Sequence, residues 1–290
     1  MKRCLFCEQG YSTSIIECPR CQSAPTSVEG FLSYAPELAE SGGGFKSCYF
    51  SELASLEAQS FWFRSRNQII AWALRKYCKN FQTFLEVGCG TGFVLSGISR
   101  EFPDTTLLGS EIFTAGLEFA ATRLPSVSFI QMDARNIPYR EEFDVIGAFD
   151  VLEHIDEDVL VLQEMRAALK SNGFLLVTVP QHGWLWSPAD EYACHVRRYS
   201  ASELHEKLES NGFQVLRNTS FVSLLLPAML LSRVKQRHTQ SCIDPVSELK
   251  LSGGLNAFLY KVMQAEIALI KTGVNLPIGG SRLVVAKRKD

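Results

Sequence analysis

The sequence predicts an α/β protein built on a parallel, doubly wound sheet. A short apolar run, Phe84 to Val87, leads through three glycines at alternate positions into the helical pattern of residues 93–98. This order predicts a buried strand, a tight turn and a helix. Farther along the chain, short apolar runs alternate with helical patterns in repeated units. Such units place parallel strands in one sheet and helices on both of its faces.

Composition and charge describe an ordinary globular protein. The chain has 290 residues, 46% of them hydrophobic, and a net charge of −2, which gives room for one large domain or a domain with a small appendage. No basic excess points to a nucleic-acid partner. We expect no signal peptide, and no segment reaches the roughly 20 apolar residues that span a bilayer. These features predict a cytoplasmic protein whose nine cysteines are reduced.

Two Cys-x-x-Cys pairs predict a zinc ribbon over residues 1–30. Four thiolates held in two turns complete a tetrahedral Zn²⁺ site, and a site with no open position is structural rather than catalytic. The loop between the pairs has ten residues, fewer than the common spacing of about 15–20. Four unrelated free cysteines are the alternative. The predicted ligands are Cys4, Cys7, Cys18 and Cys21.

Residues 31–54 are predicted to be a linker, because their composition is mixed and includes three consecutive glycines. A short strand is expected around Phe45 to Phe50. A helical pattern then starts near Ser55 and continues to about Tyr77. It predicts the first helix of the large domain, which we place at residues 55–290.

The glycine turn has the pattern acid-x-Gly-x-Gly-x-Gly, from Glu86 to Gly92. A dinucleotide fingerprint would require a glycine where Phe93 stands, and a P-loop would require a lysine after the second glycine. An acid at the end of the strand suits a cationic ligand better than a pyrophosphate. The stretch resembles motif I of the class I S-adenosylmethionine-dependent methyltransferases. The resemblance implies a Rossmann-like sheet of seven strands with the last one antiparallel, and S-adenosylmethionine as the cofactor.

Further acids follow the predicted strands in the order that this family shows. Glu111 ends the second strand about twenty residues beyond the glycines, where nucleotide-binding α/β folds hold ribose hydroxyls; a coincidental surface acid is the alternative. Asp133 resembles the family's adenine-contacting position. Residues 150–154 match the family's motif after the fourth strand, although His154 could instead be a capping residue. The predicted cofactor-binding residues are Glu86, Gly88, Cys89, Gly90, Gly92, Glu111, Asp133, Ala134, Asp150 and His154.

The connection after the fifth strand, residues 180–199, is long and rich in aromatic residues. Long loops inside compact domains are usually functional or disordered, and the aromatic content argues against disorder. Its Leu-Trp-Ser…Asp…His-x-Arg-Arg-Tyr pattern resembles a bacterial group of class I methyltransferases and, more loosely, the ubiquinone-biosynthesis O-methyltransferases. We predict His195 as the general base and His182 as the second candidate. Asp190 is predicted as an orienting or metal-binding partner.

The same loop supplies the predicted substrate-binding residues. Two adjacent arginines could clamp a carboxylate or a phosphate of the substrate. The alternative is a structural hydrogen-bond network of Asp190, His195 and Arg198 that holds the loop. The predicted substrate-binding residues are Trp186, Arg197, Arg198 and Tyr199.

An insertion, residues 221–280, precedes the last predicted strand and is expected to form a helical cap. It begins with an apolar run, broken by Pro227, that is too short to span a membrane. Two packed helices are one interpretation; a lid over a lipid-like substrate, or peripheral contact of residues 221–238 with the inner face of a membrane, are others. The basic cluster that follows the run is Arg233, Lys235, Arg237 and His238.

The sequence as a whole predicts methyl transfer from S-adenosylmethionine to an oxygen or nitrogen nucleophile of a small-molecule or lipid-linked acceptor. A zinc-ribbon adaptor that binds a partner without turnover is one alternative. A nicotinamide-dependent oxidoreductase is another, and Phe93 in place of the third glycine counts against it. The acceptor is not disclosed by the sequence.

Overall fold

The computed structural model describes residues 1–40, 49–238 and 251–290, and for residues 234–238 the backbone alone. Within these ranges the strands are β1 (Lys2–Arg3), β2 (Gly10–Tyr11), β3 (Thr26–Val28), β4 (Phe31–Ser33), β5 (Thr83–Val87), β6 (Thr106–Glu111), β7 (Ser128–Gln131), β8 (Phe143–Phe149), β9 (Leu169–Pro180), β10 (Phe213–Phe221) and β11 (Ser281–Arg288). The helices are α1 (Phe50–Leu56), α2 (Phe61–Tyr77), α3 (Phe93–Glu101), α4 (Thr114–Arg123), α5 (Asp158–Ala168), α6 (Pro188–Tyr192), α7 (Ala201–Ser210), α8 (Leu226–His238) and α9 (Gly253–Lys271).

The main sheet contains the predicted seven-stranded core, in the order β10-β11-β9-β8-β5-β6-β7. Strands β5 to β9 are parallel to their neighbours among themselves, whereas β11 is antiparallel to both β9 and β10. The prediction of a Rossmann-like sheet with an antiparallel last strand is confirmed. Strands β6 and β7 lie on one side of β5, and β8 and β9 lie on the other, so the strand order reverses between β5 and β8. A ligand crevice is expected at the carboxyl ends of the strands at such a switch point.

Apolar side chains alternate between the two faces of the sheet, as a doubly wound fold requires. Phe84 belongs to one buried cluster, with Leu95 of α3 and Phe149 of β8. Leu85, the next residue, belongs to a second cluster on the other face, with Val161 of α5. Helices therefore cover both faces of the sheet.

The sheet is extended beyond the predicted seven strands by two more. Strands β3 and β4 come from residues 26–33, which the sequence divides between the ribbon and the linker. β4 lies parallel to β7, and the Ser33 hydroxyl donates a hydrogen bond of 2.7 Å to Gln131 Oε1. Without β4, β7 would expose its unpaired backbone groups at the edge of the sheet. Strands of three residues are too short to show an alternating pattern of apolar residues, so the sequence did not predict this pairing.

The predicted strand around residues 45–50 is wrong where the structure describes it, because Phe50 begins α1. Residues 45–48 lie outside the described residues. The predicted helix of residues 55–77 is two helices, α1 and α2, with the break before Phe61. The Asn172-Gly173 pair predicts the end of the helix before β9, because Asn and Gly are typical of helix ends. Both residues instead lie inside β9, which already pairs with β8 at Leu169.

The first residues form a small hairpin, β1 with β2, that is fixed to the main domain by Arg3. Its guanidinium donates to Asn136 Oδ1 at 2.7 Å and to Glu164 Oε2 at 2.8 Å. The Arg3 side chain is 10% exposed and that of Glu164 is 13% exposed. A partly buried ion pair of this kind fixes the orientation of the hairpin on α5.

The insertion between β10 and β11 contributes α8 and α9, as the predicted helical cap requires. Asn256 of α9 accepts a hydrogen bond from the Phe61 amide at 2.8 Å, and Gln68 of α2 donates to the Tyr260 hydroxyl at 2.7 Å. The side chains of Lys235, Arg237 and His238 lie outside the described residues, so contact of this region with a membrane surface stays a prediction. Along the described ranges, no helix combines the length and apolarity needed to cross a bilayer.

Candidate active site

A cleft of about 660 Å³ lies at the carboxyl ends of β5 and β8. The glycine turn forms one wall. The ends of β6 and β7 and the loop between α6 and α7 complete the cleft together with α1 and α2. Gly92, also predicted to bind the cofactor, lies outside this lining and directly precedes α3. The other predicted cofactor residues line the cleft: Glu86, Gly88, Cys89, Gly90, Glu111, Asp133, Ala134, Asp150 and His154.

The glycine turn has no room for side chains at two of its positions. Gly88 and Gly92 have φ angles of 70° and 71°, in the region that favours glycine. A Cβ atom on Gly88 would lie 2.5 Å from a methyl group of Val151, and one on Gly92 would lie 3.1 Å from the Cα of Ala120. The turn is therefore pressed between Val151, which follows β8, and Ala120 of α4.

Glu86 is buried, with 2% of its surface exposed, and it lines the cleft. Its Oε2 accepts no hydrogen bond from the described residues. Burial raises the pKa of the Glu86 carboxyl well above its usual range, and the nearby positive charge of Arg66 acts in the opposite direction. A buried carboxylate without a full set of partners is costly. This carboxylate suits a ligand that brings a positive group into the cleft.

Glu111 joins the end of β6 to the glycine turn. Its carboxylate accepts hydrogen bonds from the Gly90 amide at 2.9 Å and from the Ile112 amide at 2.8 Å. Burial raises the pKa of Glu111, and these backbone bonds lower it. A carboxylate has about four acceptor positions, so Glu111 retains capacity for the hydroxyl groups of a ligand while it shapes the turn.

Asp133 and Asp150 are each paired with an arginine. Arg135 donates to Asp133 Oδ2 at 2.8 Å, so an amine that approaches Asp133 has to share this carboxylate. Arg66 of α2 forms an ion pair with Asp150, and its guanidinium carbon lies 4.5 Å from the centre of the Trp62 ring. Arg66 therefore fixes α2 to the post-strand motif across the cleft.

Two contacts of the glycine turn were not predicted from the sequence. The Thr91 hydroxyl donates to Glu57 Oε1 at 2.6 Å, and Arg123 of α4 donates to both Glu57 and Thr91 at 2.9 Å. The three residues are far apart in the chain, and neither Glu57 nor Arg123 belongs to a motif. Only their convergence in the fold shows that this buried ion pair supports the turn.

The Asp190 carboxylate organises the loop before α7. Asp190 is fully buried, and its Oδ1 lies 2.9 Å from His195 Nδ1 and 2.7 Å from Arg198 Nε. Burial alone would raise its pKa, but hydrogen bonds from His195 and Arg198 lower the pKa of Asp190 to about 2. The predicted alternative, a hydrogen-bond network of these three residues, is present. His195 also lines the cleft, so one face of its ring is available to a ligand.

The remaining residues predicted for the acceptor lie elsewhere. His182, the second candidate base, does not line the cleft. Its ring stacks on that of Trp184, with 4.9 Å between the ring centres. Trp186 Nε1 lies 3.4 Å from Glu191 Oε1, again outside the described lining. Neither side chain is positioned to contact a group at the glycine turn.

The predicted substrate clamp is also paired internally. Arg197 Nη1 lies 2.7 Å from Asp158 Oδ2, and the hydroxyl of Tyr199, a fully buried residue, donates to the same oxygen at 2.6 Å. Arg198 donates to Asp190 and to the Gln181 carbonyl. These pairings hold the loop against α5, which leaves a substrate-clamping role for Arg197, Arg198 and Tyr199 without support.

Glu153 and His154 follow β8 in a single 3-10 turn, next to His195. Burial raises the pKa of Glu153 well above its usual range, and the charge of Asp150 adds to this effect. Burial and the neighbouring His195 lower the pKa of His154 to about 3. The centres of the two imidazole rings are 4.8 Å apart, and both histidines line the cleft.

A second cavity, of about 520 Å³, adjoins the first and lies under α8. The two cavities share residues of α1 and α2 and the end of α6. The shared residues are Leu53, Trp62, Phe63 and Ala193. Most of the other lining side chains are apolar, among them Leu225, Met229 and Leu259. The second cavity therefore suits an apolar group that is continuous with a ligand in the cleft.

The four predicted zinc ligands are brought together at the N-terminal hairpin. Their sulfur atoms lie within 4.8 Å of one another, with 3.5 Å between Cys4 and Cys21 and 3.7 Å between Cys7 and Cys18. Sulfurs at about 2.3 Å from a tetrahedral Zn²⁺ are roughly 3.8 Å apart. The thiol groups fit a structural Zn²⁺ with little movement.

The sheet order, the glycine turn at the switch point and the acids around the cleft define a class I methyltransferase fold. The chain belongs to the family described as methyltransferase domain, whose sequence profile matches residues 57–218. That match includes the glycine turn, Glu111, the post-strand motif and the loop that carries His195.

Similar proteins are found among bacterial methyltransferases. A probable S-adenosylmethionine-dependent methyltransferase of Mycolicibacterium smegmatis is 26% identical over 170 residues, which cover 56% of this chain and 63% of that protein. A ubiquinone biosynthesis O-methyltransferase of Bradyrhizobium diazoefficiens is 28% identical over 129 residues, or 39% of this chain and 48% of that protein. The chain thus spans less than two thirds of the length of these relatives.

A solved structure with the same fold is that of the cyclase SpnF, with a TM-score of 0.53 and 19% identity. The match covers 79% of this chain and 83% of that chain. At this identity the likeness concerns the fold alone.

The Asp190 network predicts a pH-dependent contribution to stability. Because the folded-state pKa of Asp190 is about 2, below its ordinary value of about 3.9, the contribution is present above pH 4 and is lost as the pH falls through 2. Asp190→Asn should lower the free energy of unfolding at pH 7 by on the order of 3 kcal/mol, measured by urea denaturation. The difference from wild type should shrink below about pH 3.

The matched control is Asp104→Asn, which changes an exposed acid in the loop after α3 and should have little effect at any pH. A deficit of Asp190→Asn that stays constant between pH 7 and pH 2 would contradict the role of the network.

Proposed function

We propose that this protein transfers a methyl group from S-adenosylmethionine to an oxygen or nitrogen nucleophile of an acceptor with an apolar portion. The observation that carries the proposal is the buried Glu86 carboxylate, which lines the cleft at the glycine turn and has no partner for Oε2 among the described residues. When bound, S-adenosylmethionine supplies a methyl group on a positively charged sulfur, which keeps the bonding electron pair when the methyl group leaves.

The acids around the cleft have separate tasks in this proposal. Glu86 accepts hydrogen bonds from the ammonium group of the cofactor, because it is a buried acid of the cleft whose Oε2 has no partner in the described part of the chain. Glu111 accepts from ribose hydroxyls with the capacity left beside its three backbone bonds. Asp133 and Ala134 lie at the end of β7 and contact the adenine. The glycines allow the backbone to approach the ligand closely.

His195 is proposed to act on the nucleophile of the acceptor. Its Nδ1 hydrogen bond to Asp190 directs Nε2 away from the loop, and a neutral imidazole can accept the proton that an oxygen or nitrogen nucleophile must lose. Asp190 is a positioning residue, since its fully buried carboxylate sets the orientation of the ring. His182 is not retained as a candidate base, because it does not line the cleft.

The second cavity supports an acceptor with an apolar portion. It shares Trp62 and Phe63 with the cleft as lining residues, and burial of apolar surface contributes about 25 cal/mol per Å². A small molecule with a hydrophobic ring or chain, or a lipid-linked acceptor, would place its reactive group near His195 and its apolar part under α8. The name of the Bradyrhizobium relative, an O-methyltransferase, favours oxygen as the nucleophile.

The N-terminal hairpin is proposed to hold one structural Zn²⁺. Four thiolates leave no open position on a tetrahedral ion, so the metal stabilises residues 1–30 and takes no part in methyl transfer. The proposal rests on the sulfur positions and on the placement of the hairpin against α5.

The role of Glu86 predicts a selective loss of cofactor affinity. Glu86→Gln keeps the shape of the side chain and removes its charge, so affinity for S-adenosylmethionine should fall by tenfold or more, because a hydrogen bond to a charged group contributes about 1.5–3 kcal/mol. Isothermal titration calorimetry measures this change. Glu118→Gln, at an exposed position of α4, is the control and should bind like wild type. Equal affinities for wild type and Glu86→Gln would contradict the assignment.

Methyl transfer itself is tested with labelled S-adenosylmethionine and cell extract separated into lipid, small-molecule and protein fractions. Label is expected in the lipid or small-molecule fraction. His195→Ala should reduce the rate by a factor on the order of 10²–10⁴ with unchanged cofactor affinity. Cofactor binding without label in any fraction would instead support the adaptor alternative.

The zinc prediction is checked by elemental analysis of the purified chain. We expect one Zn²⁺ per chain, and Cys18→Ser should lose it because three thiolates no longer close the site. Cys194→Ser, at a cysteine far from the hairpin in sequence, should retain the metal. Zinc-free wild-type protein would contradict the ribbon.

A further inference from the structure

The loop that carries His195 meets the post-strand motif at one point beside the cleft. The Val196 amide donates a hydrogen bond of 2.7 Å to the Glu153 carbonyl, which holds the two segments together. As a result, one ligand-capable atom from each of Glu153, His154 and His195 lies within 4.8 Å of the others. The three residues come from two separate segments, so this cluster is a product of the fold.

The Glu153 carboxylate is the feature that calls for a ligand. The residue is completely buried, and neither of its oxygens has a hydrogen-bond partner among the described residues. Its Oε1 lies 4.0 Å from His195 Nε2, too far for a hydrogen bond. Buried polar groups are almost always paired, and an unpaired buried carboxylate is costly. A bound cation between these atoms would supply the missing partner.

The orientation of His195 fits a metal ligand. Its Nδ1 lies 2.9 Å from Asp190 Oδ1, and that oxygen is also held by Arg198. With Nδ1 as the donor to this carboxylate, Nε2 presents its lone pair toward Glu153. Histidines that bind metals usually donate their other ring N–H to a carboxylate or carbonyl, which fixes the tautomer and the ring orientation.

We propose that Glu153, His154 and His195 bind a divalent transition-metal cation at the wall of the cleft. Two imidazoles and one carboxylate suit ions such as Zn²⁺, Mn²⁺, Fe²⁺ or Co²⁺ and leave coordination positions open. Ligand atoms about 2.0–2.2 Å from such an ion are roughly 3–4.4 Å apart, so the observed spacing needs only a small closure. The two histidines of the cluster line the cleft.

The consequence for catalysis rests on the proposed function. An open position on the cation faces the cleft, where the nucleophilic oxygen or nitrogen of the acceptor can bind. A bound cation lowers the pKa of such a group, so that its proton passes to solvent before the methyl group arrives. In that case His195 acts as a ligand rather than as the base itself. Metal binding, in contrast, is independent of whether methyl transfer occurs.

The test titrates Mn²⁺ into the full chain with its ribbon loaded with Zn²⁺, and follows free Mn²⁺ by electron paramagnetic resonance. Thiolates select Zn²⁺ over Mn²⁺, so the ribbon does not interfere. We expect one bound Mn²⁺ per chain, and Glu153→Gln should weaken its binding by more than tenfold. Glu191→Gln, a neighbouring exposed acid of α6, is the control and should bind Mn²⁺ like wild type.

Absence of Mn²⁺ binding by wild type, or equal binding by Glu153→Gln, would overturn the site. If Glu153→Gln misfolds and loses S-adenosylmethionine binding, the site is tested instead by pulsed electron paramagnetic resonance of the wild-type Mn²⁺ complex. Couplings to two imidazole nitrogens support the site, and their absence overturns it.

The labelled-methyl assay separates this proposal from the proposed function. Mn²⁺ binding without methyl transfer would support the cation site and contradict the proposed function. Full transfer rate in a chain that binds no Mn²⁺ would remove the site and leave the function standing, with His195 as the base.

Discussion

The structure depends on the absence of side chains where the chain leaves β5. Gly88 is pressed against Val151 and Gly92 against Ala120, and both have backbone angles that favour glycine. Because the turn is this tight, the Gly90 amide reaches the Glu111 carboxylate of the neighbouring strand. The carboxyl ends of β5, β6 and β8 therefore surround one cleft. A Cβ at either crowded glycine would displace the turn and with it the acids that line the cleft.

Buried charges divide into those that are paired within the protein and those that are not. Arg66 with Asp150 and Arg123 with Glu57 are ion pairs that fix separate segments to one another. Arg198 forms an ion pair with Asp190 within one loop. Breaking such a pair leaves an uncompensated buried charge. Glu86 and Glu153 are buried carboxylates with oxygens that have no hydrogen-bond partner within the ranges that the structure describes. Glu86 lines the cleft, whereas Glu153 lies next to His154 and His195 of the cleft wall. Each of these acids marks a place where a ligand can supply positive charge.

Much of the fold followed from local patterns. The run from Phe84 into α3, the repeated strand and helix units, and the capping box at Ser200 and Glu203 are each contained in a few consecutive residues. The four cysteines of the hairpin are equally local in their spacing. Strands β3 and β4 were missed because three residues each carry no periodicity, and their pairing with β7 depends on an edge that exists only in the assembled sheet.

The sequence by itself determined the class of fold, the glycine turn and the identity of the acids at the carboxyl ends of β5, β6 and β8. These features depend on residues that are close together in the chain, so short sequence motifs are sufficient to predict them. Only the tertiary structure decided which polar residues of the loop before α7 face the cleft. It turned His195 toward the cleft and toward Glu153 while Arg197, Arg198 and Tyr199 paired internally. The physical reason is that a buried charge takes whichever partner the fold brings close, and that partner is set by packing rather than by sequence spacing.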